Sequence, residues 1–223
     1  MEQGSREWHE ARSGRITASR AADVMAFTQE GVYKTGPKKG QPKPVRELKA
    51  RSDYRAELVA EILSGQPSPN IRAAALAWGQ DVEAAARVAY EADRGIFVTR
   101  VAIVQHPSLP HVSCSPDGLV DDDGMVQIKA PHNTANHIDA LTDGVPAEHL
   151  PQMQFELWVT GRKWNDFISF DPRMPEHMAL YVERVERDEA YIAALAAECA
   201  KFWESVQRIV TALRKRYELA EAA

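Results

Sequence analysis

The chain has 223 residues, of which 44% are hydrophobic, enough for one domain of ordinary size with a substantial core. It contains no run of about 18 apolar residues, which a membrane-spanning helix requires. The segment up to Arg6 also lacks the apolar core of a signal peptide. The only cysteines, Cys114 and Cys199, argue against a disulfide framework and favour a reducing cytosol. Neither Cys-x-x-Cys nor His-Glu-x-x-His occurs, which argues against zinc.

The net charge of −5 is unevenly distributed along the chain. Residues 1–55 carry 12 basic and 7 acidic side chains, and the remainder carries 15 and 25. A basic N-terminal third could bind a polyanion through one face. Charge alone favours the simpler interpretation, a solvated surface whose charge varies along the chain.

The first half of the chain is predicted to be mainly helical. Residues 5–27 are predicted as a helix, a turn and a second helix, and 28–46 as a mobile basic loop rich in Gly, Pro and Lys. Further helices are expected over 46–64 and over 71–93, separated by a break at 66–70. Gly95 is a suitable residue to end the second of these helices.

Strands dominate the middle of the chain, and helices return near its end. Strands are predicted over 96–104, 111–114, 119–120, 125–129, 164–170 and 180–185, and helices over 148–160 and from Asp188 to about 218. The order predicts one α/β domain spanning 1–223, with a central mixed sheet flanked by helices, and excludes a doubly wound fold.

The most informative segment is Ser115-Pro116-Asp117-Gly118, followed by Gln127-Ile128-Lys129. Side chains alternate along a strand, so Gln127 and Lys129 share one face while Ile128 points to the core. A turn at 121–124 folds the strand back and lets Asp117 converge with both. With glutamate at 127 this would be the PD-(D/E)XK pattern of metal-dependent nucleases, so the glutamine is unexpected.

Each candidate residue also has a structural interpretation. Asp117 is a typical turn aspartate and Lys129 a strand-end lysine that extends to solvent. Glu83 could complete a metal site or be an exposed helix glutamate, and Gln152 could bind a water or lie on a polar face. In the functional interpretation, Asp117 binds a hard divalent cation and Lys129 orients or deprotonates the attacking water.

Several further motifs, in order along nearly the whole chain, resemble the phage lambda exonuclease family, the YqaJ-type viral recombinase nucleases of the PD-(D/E)XK superfamily. The matching segments are Arg12-Ser13-Gly14-Arg15-Ile16-Thr17-Ala18-Ser19, Ala75-Leu76-Ala77-Trp78-Gly79 with Glu83, Cys114-Ser115-Pro116-Asp117-Gly118-Leu119, Gln152-Met153-Gln154 with Trp158-Val159-Thr160, Asp171-Pro172-Arg173-Met174 and Glu186-Arg187-Asp188-Glu189.

The resemblance implies a restriction-endonuclease-like core and Mg²⁺-dependent 5′→3′ digestion of one strand of linear duplex DNA, with Mn²⁺ as an alternative ion. Mononucleotides would be released, leaving a 3′ single strand for recombination by annealing. It also implies a ring-shaped homotrimer, a single-strand-annealing protein as partner, and the cytoplasm of a bacterial or phage-infected cell.

The resemblance also implies roles for particular residues. The metal ligands would be Asp117, residue 127, the carbonyl of Ile128 and nearby Glu83, with Lys129 and Gln152 acting on the water. Arg12, Ser19 and Ser115 would hold the 5′-phosphate, a role that suits the bidentate fork of arginine and the donors of hydroxyl groups.

Two departures from the family pattern stand out. Gln127 replaces a glutamate, which predicts weaker metal binding and impaired cleavage with DNA binding retained or strengthened. We interpret it as an engineered, shape-preserving substrate trap, with a natural variant as the alternative. The second phosphate-binding arginine of the family falls within Pro131–His137, where Thr134 is one candidate replacement and the Asn and His residues are others. A non-catalytic DNA-end-binding protein and a PD-(D/E)XK endonuclease are the competing functions.

Overall fold

A computed structural model describes residues 1–68 and 73–221, with side chains described except at 73–81 and 218–221. It shows a mixed α/β fold with helices around two sheets, which confirms the predicted fold class. The α-helices are α1 (Arg6–Arg12), α2 (Ala21–Val24), α3 (Lys49–Ser64), α4 (Ala73–Arg94), α5 (Thr134–Asp143), α6 (Leu150–Thr160), α7 (Glu176–Ala179) and α8 (Glu189–Glu221). The strands are β1 (Ile16–Thr17), β2 (Val98–Thr99), β3 (Val104–Gln105), β4 (Val112–Cys114), β5 (Gly118–Val120), β6 (Gly124–Lys129), β7 (Trp164–Phe170) and β8 (Leu180–Glu186).

The larger sheet has the strand order β2-β5-β6-β7-β8. Strands β6 and β7 are parallel, from Gly124 beside Trp164 to Lys129 beside Ser169, and the other pairs are antiparallel. A parallel pair needs a long crossover, which α5 and α6 provide. The predicted central mixed sheet is therefore confirmed, and β6 lies at its centre.

The two faces of β6 pack against different helices. Val126 and Ile128 lie in a cluster with Tyr90 of α4, whereas Met125 packs with Leu157 of α6. Because side chains alternate, Gln127 and Lys129 lie on the α6 face of the sheet. This alternation agrees with the sequence prediction and decides which helix can contact the two polar side chains.

The smaller sheet, β1-β4-β3, packs into a second core with α3, α6 and α8. Tyr54 and Phe202 stack there with ring centroids 5.4 Å apart, and Phe155 and Leu195 are fully buried nearby. Helix α6 therefore contacts both cores, which fixes it between the two sheets.

The predicted strand over 96–104 is wrong. The segment forms β2 and β3, which belong to different sheets. The carbonyl groups between them accept side-chain hydrogen bonds instead of strand partners: Gln3 Nε2 donates to Val101 O and Trp8 Nε1 to Ala102 O, each at 3.0 Å. The chain thus crosses from one sheet to the other where the N-terminal segment covers it.

Helix α5 is absent from the sequence predictions. Asn133 Oδ1 caps it by accepting from Ala135 N at 3.1 Å, and Gly144 follows its last residue. The predicted second helix within 5–27 is mostly replaced by β1, a 3₁₀ turn at Ala18–Arg20 and the single turn α2. A β-branched pair, Ile16-Thr17, pairs in parallel with β4 instead.

Other predicted boundaries agree with the structure. Gly95 and Gly161 adopt positive φ of 67° and 71° directly after α4 and α6. Asp188 Oδ1 accepts from Tyr191 N at 2.9 Å, the hydrogen bond of an N-cap for α8. Residues 69–72, which fall in the predicted break and at the predicted helix start, lie outside the described residues. Within the described residues, no helix is long and apolar enough to cross a membrane.

A buried polar group ties α4 to the sheet and gives a test of the fold. Tyr90 Oη donates to Asp166 Oδ2 at 2.7 Å, and Arg184 also pairs with that carboxylate. We expect Tyr90→Phe to lower the free energy of unfolding by about 1.5–3 kcal/mol, because it removes a hydrogen bond to a charged group and leaves the ring in place. Urea denaturation measures this.

The matched control is Tyr181→Phe, which removes an exposed hydrogen bond to Glu183. We expect a change within about 0.5 kcal/mol, as for other surface sites. Equal effects of the two substitutions would contradict the role assigned to Tyr90.

Candidate functional site

Asp117 is placed by the tight turn that enters β5. Gly118 follows it and pairs with Val126 of β6. A Cβ atom on Gly118 would lie 2.0 Å from Val98 Cγ1, so only glycine allows this approach of backbone to β2. The packing thereby holds the Asp117 carboxylate beside the middle of β6.

The carboxylate is held by the backbone and side chain of β6. Ile128 N donates to Asp117 Oδ2 at 2.6 Å, and Gln127 Nε2 donates to the same oxygen. Burial, with the neighbouring charge of Glu83 as a further cause and Lys129 opposing it, raises the pKa of Asp117 to about 7. The structure therefore brings Asp117, Gln127 and Ile128 together, as the sequence predicts.

Gln152 of α6 joins the two polar side chains of β6. Its Nε2 donates to Gln127 Oε1 at 2.5 Å, and its Oε1 accepts from Lys129 Nζ at 3.5 Å. These contacts follow from the position of Gln127 and Lys129 on the α6 face. The residues predicted for cleavage chemistry thus form one connected group.

Two buried residues extend this group and were missed from the sequence. Glu156 Oε1 accepts from Gln152 Nε2 and its Oε2 from Asn165 Nδ2, both at 2.9 Å. Both residues are fully buried, and burial raises the pKa of Glu156 to about 8, with Asp117 as a further cause. A glutamate inside the apolar run Phe155–Val159 was the signal that could have identified it.

Glu83 lines one cleft with Asp117, next to Gln3 and Arg100. It is partly exposed and lies 3.4 Å from Arg87 Nη1. Glu83 thus faces the same space as Asp117, which explains its effect on the pKa of that carboxyl group.

A second polar group surrounds Arg12 of α1. Its Nη1 donates to Ser115 Oγ and its Nη2 to Ser19 Oγ, both at 3.0 Å. Trp8 Nε1 also donates to Ser115 Oγ at 3.0 Å, and the guanidinium lies 4.1 Å from the Trp8 ring centroid. The structure thus brings together Arg12, Ser19 and Ser115, and adds Trp8.

The guanidinium group of Arg12 donates hydrogen bonds to two serine hydroxyl groups. Burial lowers the pKa of Arg12, because the charged form loses hydration. Among the side chains that the structure describes, at 1–68 and 82–217, no carboxylate forms an ion pair with it. A partly buried guanidinium flanked by hydroxyl groups is suited to bind an anion such as a phosphate.

Thr134 lies in a different group from Arg12. It begins α5, and its side chain lies near Asp171 and lowers the pKa of that carboxyl group, which also pairs with Arg173 at 2.8 Å. Arg173 in turn donates to the carbonyl groups of Pro131 and His132 at 3.1 Å. These contacts place Thr134 near the end of β7, in a group that shares no residue with the Arg12 group.

The donor set at Asp117 suits a divalent cation only in part. Asp117 and Glu83 supply two carboxylates, and the charge of Glu83 disfavours that of Asp117, a repulsion that a cation between them would relieve. No cluster of three or more His, Cys, Asp or Glu suited to a metal is found in the described part of the chain. The acidic pair fits Mg²⁺, but at Gln127 the atom that faces Asp117 is an amide nitrogen, which cannot be a ligand.

Comparisons with known proteins agree with this geometry. Residues 7–163 match the YqaJ-like viral recombinase domain. An alkaline exonuclease, LHK-Exo from Laribacter hongkongensis, is 35% identical with a TM-score of 0.82, over 98% of this chain and 100% of that chain. The same values hold for the complex of LHK-Exo with dAMP.

A phage-related exonuclease from Haemophilus somnus 129PT is similar in fold alone, at 14% identity and a TM-score of 0.66 over 89% of this chain and 96% of that chain. A comparison with curated proteins gave no match. The resemblance inferred from the sequence is thus confirmed: the chain belongs to the YqaJ-like viral recombinase family, whose solved relatives here are exonucleases of the same fold.

Proposed function

We propose that this protein is a Mg²⁺-dependent nuclease, with Mn²⁺ as an alternative ion, that digests one strand of linear duplex DNA in the 5′→3′ direction. The observation that carries the proposal is the turn Ser115–Gly118, which joins two sites. Ser115 belongs to the Arg12 group, and Asp117 belongs to the group with Gln127, Lys129 and Gln152. A 5′-phosphate bound at Arg12 would therefore lie close to a cleavage site at Asp117.

Each side chain has a role in the proposed reaction. Asp117 and Glu83 would hold the ion, with the carbonyl of Ile128 as a further oxygen ligand. When bound, Mg²⁺ would neutralise charge that develops on the phosphate and lower the pKa of a water. Lys129, held by Gln152, would orient that water and stabilise the departing charge.

Gln127 would limit the activity of the chain as it stands. Its NH₂ group donates to the Asp117 oxygen that would otherwise face a cation. A glutamate of the same shape would present an oxygen and a negative charge at this point. We therefore propose that Gln127 weakens metal binding while leaving the Arg12 group and its affinity for DNA ends intact.

The same hydrogen bond favours a second candidate, a DNA-end-binding protein without cleavage. The Gln127 amide satisfies Asp117 without any ion, so the site is chemically complete as a binding site. In this case the Arg12 group would hold the 5′-phosphate and no hydrolysis would follow. The ring-shaped homotrimer and the single-strand-annealing partner implied by the sequence remain part of either proposal.

The first prediction concerns residue 127. We expect Gln127→Glu to raise the Mg²⁺-dependent release of mononucleotides from linear, 5′-phosphorylated duplex DNA by ~100-fold or more, the scale on which one charge-stabilising group affects turnover. The measurement compares both chains on one labelled duplex.

A covalently closed circular duplex tests the alternative function, because an endonuclease cuts the circle and an exonuclease leaves it intact. If neither chain cuts while both bind ends equally, the end-binding function is correct.

The second prediction concerns Arg12. We expect Arg12→Lys to reduce the preference for 5′-phosphoryl over 5′-hydroxyl ends by ~10-fold, because lysine cannot supply the bidentate fork. Fluorescence anisotropy with both end types measures the ratio without requiring cleavage.

Arg6→Lys is the matched control, because Arg6 lies on the same helix but is exposed and pairs with Glu10 at 2.7 Å. Its ratio should equal that of the parent. An unchanged ratio in Arg12→Lys would rule out Arg12 as the phosphate-binding residue.

The third prediction concerns the basic segment 31–43. The structure shows it as a hairpin in which Tyr33 N donates to Gln41 O at 3.0 Å and Lys43 N to Gly31 O at 2.7 Å. It contains no acidic residue. Its exposed lysines are Lys34, Lys38, Lys39 and Lys43. If this hairpin contacts DNA phosphates, replacing Lys38, Lys39 and Lys43 by Gln should reduce the slope of log affinity against log salt by about 2–3.

The control replaces three lysines that already pair with acids. Lys49, Lys163 and Lys201 lie 2.7, 2.7 and 2.6 Å from Asp53, Asp123 and Glu198. Their triple Gln variant changes the net charge equally but should leave the slope unchanged. Equal slopes in both variants would show that the hairpin does not contact the DNA backbone.

A further inference from the structure

We propose that Glu156 is a positioning residue for the cleavage site, which fixes the amide of Gln152 and through it the side chains of residue 127 and Lys129. The inference rests on the proposed function, because it assigns a role within the same site. Glu156 is not among the residues expected to touch DNA or a cation. It lies one turn further along α6 than Gln152 and is fully buried.

The contacts of Glu156 form a chain that ends at the site. Its Oε1 accepts from Gln152 Nε2 at 2.9 Å, and that nitrogen also donates to Gln127 Oε1 at 2.5 Å. On the other side, Asn165 Nδ2 donates to Glu156 Oε2 at 2.9 Å. The carboxylate thus links a strand residue of β7 to the two amides beside Asp117.

The polarity of these groups determines how the amides point. Above its raised pKa, Glu156 is an ionised carboxylate that only accepts hydrogen bonds, and the ammonium group of Lys129 only donates them. Glu156 therefore requires the NH₂ group of Gln152, while Lys129 requires its oxygen. Gln152 then directs its second N–H to residue 127, which must present an oxygen there. Glu156 and Lys129 together therefore fix the orientation of the Gln152 amide.

Keeping Glu156 at this place carries a cost in stability. Burial raises its pKa, and Asp117 adds to the effect, while Lys129 and the hydrogen bonds from Gln152 and Asn165 oppose it. Arg12 and Cys114 also interact electrostatically with Glu156. A buried acid with a raised pKa favours the folded state less as the pH rises through that pKa. An apolar side chain would avoid this cost, so stability alone does not explain the residue.

Asn165 shows that the arrangement depends on the carboxylate. Its Oδ1 is buried and has no hydrogen-bond partner among the described residues. The Asn165 amide therefore gains its one side-chain hydrogen bond from Glu156. With an amide at 156 in place of the carboxylate, Asn165 and the new amide could both reverse, and the orientation of Gln152 would no longer be fixed.

The experiment compares three chains in the Gln127→Glu background: the parent, Glu156→Leu, and the double variant Glu156→Gln/Asn165→Asp. We expect Glu156→Leu to lower kcat by ~10-fold or more, as loss of outer hydrogen-bond partners does at other sites, with KM within about twofold. The double variant moves the carboxylate to position 165. The amide introduced at position 156 then donates its NH₂ to that carboxylate and turns its oxygen to Gln152. This variant should recover most of the lost kcat.

Stability separates positioning from a structural role. The melting temperature of Glu156→Leu, relative to its parent, should rise between pH 6 and pH 9, because the parent must hold an ionised carboxylate at the higher pH. A purely structural role instead predicts that Glu156→Leu is less stable than its parent at both pH values.

Gln154→Ala on the same helix is the control. Gln154 donates to Glu186 O and accepts from Asp188 N, so its loss should lower stability and leave kcat unchanged.

A readout in the chain as given needs no cleavage. We expect the side-chain NH₂ of Gln152 to exchange its hydrogens at pH 9 ~10-fold faster in Glu156→Leu than in the parent. If the Gln127→Glu parent is inactive, the nuclease function fails, yet this exchange still decides whether Glu156 holds Gln152. An unchanged kcat in an active Glu156→Leu enzyme, or unchanged exchange, would overturn the proposal.

Discussion

The hydrogen bond from Ile128 N to Asp117 is the contact on which the rest of the site depends. It joins the turn at Ser115–Gly118 to the central strand β6, and it requires the close approach of Gly118 to Val98. Because the same turn carries Ser115, this bond also fixes the Arg12 group relative to Asp117. Two polar groups, one around Arg12 and one around Asp117, are held at one place by a single backbone geometry.

Helix α6 supplies the other half of the arrangement. It packs its apolar residues into both cores and directs Gln152 and Glu156 to the side of β6 that carries Gln127 and Lys129. The carboxyl group of Glu156 is fully buried and that of Asp117 is partly buried, and both have a raised pKa. Such charges are costly to keep in a protein interior, and this pattern is typical of functional sites rather than of cores.

Gln127 changes the chemistry of the site more than its shape. As a donor to Asp117, it satisfies a partly buried carboxylate that in a metal site would face an ion. As an acceptor from Gln152, it preserves the orientation of the neighbouring amide. In the proposed function a single side chain would separate cleavage of DNA ends from binding of them, two functions that family membership does not distinguish.

The sequence by itself determined the mixed α/β class, the family, and the convergence of Asp117, Gln127 and Lys129, because a turn followed by an alternating strand has few possible geometries. The central residues of most predicted helices and strands are also in the predicted conformation, because hydrophobic periodicity indicates the type of an element. The split of 96–104 into two strands was decided only by the tertiary structure, since Gln3 and Trp8, distant in sequence, bond its carbonyl groups. The place of Glu156 was also decided by packing, because a helix pattern does not reveal which buried polar side chains face each other across α6, β6 and β7.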